Sequence, residues 1–148
     1  MAKDFSGRRL FLLYSFPCAD GRFLRGHIDR EHLDRLVALI KSGGEPTTAL
    51  LRYCFPHAVR RLREFAQLTG TERWALSTVA AFWRHHHGHT GDCRVTIGTV
   101  AKLAHIPEAV ILTSGLVAIN PYFLPALPGD RFYMHFQVLV EKVETEVN

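Results

Sequence analysis

The chain has 148 residues, 47% of them hydrophobic and 22% charged, with 18 Lys and Arg against 14 Asp and Glu. This is globular composition, which excludes a disorder-dominated class, and the length suits one compact domain or two small ones. No apolar run of about 18 residues could span a bilayer, and Leu10 to Tyr14 behind Arg8-Arg9 is too short for a signal peptide, so the expected setting is cytoplasmic with no membrane contact.

In chain order, residues 8–16 form a brief apolar run that fits a strand or a helical turn, with the helical turn preferred. Asp20-Gly21-Arg22 reads as a loop. Asp29 is an N-cap for a helix with Leu33, Leu36, Val37 and Ile40 on one face, ending at Gly43-Gly44. Thr47 or Thr48 starts another through Leu50, Leu51 and Tyr53; Pro56 interrupts it before Val59, Leu62, Phe65 and Ala66 resume the stripe as far as Gly70. Thr71-Glu72-Arg73-Trp74 is expected to begin a further helix with Leu76, Val79, Ala80, Phe82 and Trp83 turned inward, running into His85-His86-His87. The aromatics Phe55, Phe65, Trp74, Phe82 and Trp83 fall at helical spacing and are assigned to the core.

From residue 92 the period changes. Val95, Ile97, Thr99 and Val100 are β-prone, and Gly98 among them permits a bulge or a close backbone approach. Ala109 to Thr113 and Leu116 to Ile119 read as two strands joined by a tight turn at Ser114-Gly115. Prolines 121, 125 and 128 exclude a regular element. Pro128-Gly129-Asp130 then turns into a strand over Arg131 to Phe136, and a last strand covers Val138 to Val143. The predicted class is therefore α+β: a helical module over residues 1–91, followed by a small β-barrel over residues 92–148.

Charge follows this division. Lys and Arg outnumber Asp and Glu 14 to 8 in residues 1–91 but are outnumbered 4 to 6 in residues 92–148. A basic front and a slightly acidic back suggest two surfaces, the first suited to an acidic protein or, less readily, a nucleic acid. Arg60, Arg61 and Arg63 are the candidate partner-binding cluster. The barrel half lacks the basic groove with interleaved aromatics that nucleic-acid binding calls for.

Three widely spaced cysteines, Cys18, Cys54 and Cys93, argue against a disulfide framework, and the lack of a Cys-x-x-Cys pair argues against a zinc ribbon. No phosphate loop, no Gly-x-Ser-x-Gly elbow and no His-Glu-x-x-His motif is found, so the expectation is that the chain is not an enzyme. Cys54 and His57 form a possible thiol–imidazole pair, separated by Pro56.

The residues that carry most chemistry are Cys93 and His135, a thiol and an imidazole suited to a soft or borderline transition metal. Cys93 is followed at five residues by Gly98 and then by Val100; Gly129-Asp130 precedes a strand ending in His135, and Val140-Glu141-Lys142-Val143 follows. This pattern, over residues 92–145, resembles the small hydrogenase assembly chaperones of the HypC/HybG/HupF family. The resemblance implies an OB-like barrel. It also implies a transiently carried iron fragment bearing cyanide and carbon monoxide, with Cys93 as anchor and His135 as second ligand or positioning group. The implied partners are a hydrogenase maturation protein or the precursor of the nickel-iron hydrogenase large subunit. The family's cysteine is the mature N-terminus, whereas Cys93 follows Thr90-Gly91-Asp92 and has no α-amino group. His87 and His89, just upstream, are the side chains available to replace that amine as metal ligands. Two other readings stay open: an interaction subunit that keeps the barrel without metal cargo, and a nucleic-acid binder using the basic helical module.

Overall fold

A computed structural model describes residues 6–87 and 94–144. The fold is α+β, helices first and strands second, and the chain divides into two compact units, Met1–His87 and Gly88–Asn148.

The first helix of the N-terminal unit, α1 (Gly7–Ser15), starts where the Ser6 hydroxyl accepts the Arg9 N–H at 3.1 Å. Leu10, Phe11, Leu12, Leu13 and Tyr14 are all buried, so from Leu10 onward the helix is covered on every side and runs through the core. That is why its sequence shows no helical period. Trp83 stacks on Tyr14 (ring centroids 5.5 Å, 4°) and meets the Phe11 ring edge-on at 5.2 Å. Trp74 meets Phe11 edge-on from another side at 5.4 Å. Gly7 lies so close to Trp74 that a Cβ there would penetrate the Trp74 carbonyl.

The segment expected to be a loop at Asp20-Gly21-Arg22 is instead part of α2 (Ala19–Leu24), entered through a 3-10 turn at Phe16–Cys18. α3 (Arg30–Ser42) has Asp29 as N-cap and closes on Gly43 at φ 74°. α4 (Thr48–Cys54) is capped by Thr47, and Pro56 opens α5 (Pro56–Thr69), which ends on Gly70 at φ 67°. Proline separates two helices here because it is tolerated in a first turn and excluded from an interior.

The helix expected from Thr71 begins only at Leu76, as α6 (Leu76–Ala81). Thr71 is consumed by the end of α5: its N–H donates to Ala66 O at 3.0 Å, and its hydroxyl lies 2.8 Å from that of Thr69. After α6 the backbone widens into a π-helical turn, Phe82–His86, with the His87 N–H donating to Phe82 O at 2.7 Å, and His87 itself is extended (ψ 130°).

Among the described residues the C-terminal unit has five strands: β1 (Val95–Leu103), β2 (Ala109–Leu112), β3 (Val117–Ile119), β4 (Arg131–His135) and β5 (Val138–Lys142). They close into a ring in the order β1-β2-β3-β5-β4. β1 pairs antiparallel with β4 through residues 95–99 and with β2 through residues 100–103, while β3 and β5 meet in parallel at Ile119↔Val138. Val100, Val110, Leu112, Ala118, Phe132, Met134 and Leu139 fill the interior. Gly98 provides close approach, since a Cβ there would stand 2.8 Å from Met134 Cε. The bulge lies elsewhere, at Ala101, where the β1–β2 register shifts between Val100 and Lys102. A second irregularity opposite Tyr133 and Met134 leaves Val140 as the extra residue of β5, which accounts for three consecutive buried positions at Val138, Leu139 and Val140. Buried Asn120 holds the proline-bearing connection by donating to Leu124 O (2.9 Å) and accepting the Leu124 N–H (3.0 Å).

Gly7→Ala is expected to destabilise the N-terminal unit by about 2–3 kcal/mol, because overlap with a backbone oxygen outweighs the ~0.5–1 kcal/mol that alanine gains in a helix. Thermal unfolding measures it.

Candidate functional site

His135 ends β4 and is the register partner of Val95 on β1 and of Val138 on β5. Phe132 and Met134 on the same strand belong to the interior cluster, so by strand alternation His135 faces away from it, in one row with Val95 and Val138. None of its surface is exposed. The Phe136 ring lies 4.7 Å from the imidazole at 45°. Cys93, two positions before Val95, lies outside the described residues, as does His89.

His87 belongs to the helical unit. Half-buried, it packs on Trp83 at 4.2 Å between ring centroids and on Phe82 at 5.8 Å. His86 packs on Phe65 at 4.8 Å. The π turn ends at His86, and His85 is exposed. Among the described residues no group of three or more His, Cys, Asp or Glu side chains could hold a metal ion.

The arginine cluster divides on α5. Val59, Leu62 and Ala66 form the buried face; Arg60 and Arg63 are exposed one turn apart, and Arg61 is half-buried on the flank. The Arg60 guanidinium donates to His57 Nδ1 at 2.8 Å. Two other arginines of the basic front close helix ends. Arg9 donates to Leu39 O at 2.7 Å, Gly44 O at 3.1 Å and Ile40 O at 3.3 Å, at the C-terminus of α3. Arg22 Nε donates to Cys54 O at 2.6 Å, at the C-terminus of α4. Both place a cation where the helix dipole is negative.

Cys54 is buried, and desolvation pushes its thiol up to about 11 despite the opposing pull of Arg22 and Arg35. With His57 Nδ1 engaged by Arg60, the possible thiol–imidazole pair has neither a reactive thiol nor a free base nitrogen.

Two features were not anticipated. Asp29 accepts both the His32 backbone N–H (2.8 Å) and its ring Nδ1–H (2.6 Å), while the His32 ring stacks on Tyr53 at 4.0 Å. The Asp29–His32 spacing was the signal for this. A cleft of about 260 Å³ also opens beside β1, lined by Thr96, Thr99 and Thr113 among others and by Gln137, with no charged side chain in its wall.

Iodoacetamide should alkylate Cys54 about a hundredfold more slowly than a free thiol in the native chain and at the ordinary rate after unfolding, as followed by peptide mass mapping. A pH effect follows from two carboxyls held below their ordinary range. Asp29 is lowered first by the His32 backbone N–H and then by its ring, and Glu45 first by its bond with Arg8 and then by Ser6. Their stabilisation is complete above the ordinary carboxyl range near ~4 and is lost as pH falls through the depressed values. In melting curves taken from pH 6 downward, Asp29→Asn with Glu45→Gln should flatten the acid loss.

The chain matches no family model, no curated protein and no solved structure.

Proposed function

We propose that the strand unit is an OB-like β-barrel and that the protein is a metallocentre-assembly chaperone. Its cargo would be an iron fragment bearing cyanide and carbon monoxide, held by the Cys93 thiolate and the His135 imidazole. The observation that supports this most is the pairing of Val95 with His135: Cys93 is two residues from Val95, a span of at most ~7 Å. In this reading the thiol and the imidazole, distant in sequence, meet near the end of the β1–β4 ladder at which Val95 pairs with His135. The barrel reading draws on the closed strand order and the parallel β3–β5 pair.

Two ligands from the chain suit a carrier, because a loosely held metal can pass to a recipient whose own side chains complete its coordination. His89 and His87 remain the further candidates in place of the missing α-amino group. Exposed Arg60 and Arg63, with Arg61 beside them, would present the helical unit to an acidic face of a hydrogenase maturation protein or large-subunit precursor in the cytoplasm. This is delivery, with no catalysed reaction. Binding of nucleic acid is less favoured, since Arg9 and Arg22 are occupied at helix ends.

A second reading is favoured by the complete burial of His135: a protein-interaction subunit that keeps the barrel and carries no metal. Anaerobic co-purification with candidate partners separates the two. The carrier reading expects bound iron and infrared bands of cyanide and carbonyl in the wild type, both lost in Cys93→Ala and reduced in His135→Ala. Iron and bands unchanged in Cys93→Ala overturn it, and a wild-type complex free of iron supports the second reading.

A further inference from the structure

A two-residue hairpin loop with positive φ at both central positions is the type I′ geometry, which Asn-Gly or Gly-Gly adopts readily. Between β4 and β5 those positions are Phe136 and Gln137, at φ 54° and 60°. Bulky side chains are rare in this backbone state, and they persist where surrounding contacts over-determine it, commonly at functional sites. Two contacts do so here. The Ile119 N–H donates to Gln137 O at 2.8 Å, tying the turn to β3. The Phe136 ring lies against the His135 imidazole; Phe136 is 37% exposed, whereas His135 has no exposed surface.

We infer that Phe136 controls access to His135: the left-handed turn holds its ring against the imidazole, and a metal or reagent reaches His135 when the turn opens. The neighbours of His135 in its row, Val95 and Val138, are fixed in the β1–β4 and β4–β5 ladders. Moving either one breaks ladder pairing. Opening a two-residue turn releases little backbone bonding, so it is the easier route. The use of such a cover rests on the ligand role proposed above, but its existence does not.

The test is carbethoxylation of the full-length chain by diethyl pyrocarbonate, with no metal added, followed by peptide mass mapping. Exposed His105 serves as the internal reference. Phe136→Ala should raise the His135 rate relative to His105 about tenfold, the signature of an easier local opening. Phe136→Tyr, which keeps a ring, and Gln137→Gly, which keeps the turn shape, should stay at the wild-type rate. An unchanged His135 rate in Phe136→Ala overturns the inference. If that variant fails to fold, judged by its melting curve, Phe136→Leu must still accelerate His135, and a wild-type rate there overturns it equally. Iron content and carbethoxylation are separate readouts. Accelerated modification with no iron in the wild type would therefore leave the cover standing and remove the ligand role.

Discussion

β1 runs antiparallel to β4 from Val95↔His135 to Thr99↔Arg131 and pairs its other edge with β2 from Val100 onward, across a bulge at Ala101. One strand thus serves two neighbours, and closure of the ring depends on it bending between them. Gly98 keeps the backbone close to Met134 just before the bend. The ladder also fixes which residues share a face. Met134 packs inward with Leu139, its β5 partner, while His135 is placed in the outer row with Val95 and Val138. A one-residue slip would exchange these faces and put the imidazole into the apolar interior.

In the helical unit the corresponding constraint is aromatic. α1 is sealed by Trp74 and Trp83, and the backbone contact at Gly7 sets its distance from the chain around Trp74. Around this centre α3 and α4 are fastened at their C-terminal ends by charge. Arg9 and Arg22 reach across to carbonyls at the C-terminal ends of α3 and α4. The positive balance of residues 1–91 is therefore partly internal to the fold. The exposed arginines are fewer than the count suggests, with Arg60 and Arg63 among them.

Legibility in the sequence followed the range of the forces involved. Asp29, Thr47, Gly43 and Gly70 cap helices by local geometry and could be placed from neighbouring residues alone. The strands were readable because alternation and the turn residues Ser114-Gly115 and Gly129 agree, with φ 89° at Gly115 and 94° at Gly129. α2 was hidden because Asp20-Gly21-Arg22 resembles a turn, while Arg22 bonds to Cys54, far along the chain. The late start of α6 was hidden because Thr71 belongs to the closure of the preceding helix. At the site, the type and strand position of His135 could be read, but its burial could not. Phe136-Gln137 carries no glycine or asparagine to announce a left-handed turn.

The parallel contact of β3 with β5 also bears on the order in which the unit forms. Adjacent hairpins such as β2–β3 need only short chain closures, but β1 must wait for β4, and the Ile119↔Val138 join requires the last strand to pass beyond its hairpin partner. Such distant pairings close slowly compared with local ones. On a ribosome, the helices of residues 6–87 would consolidate while β1 still lacked one of its edges. The imidazole of His135 would acquire its surroundings only once β4 and β5 have both been made, well after the helical unit.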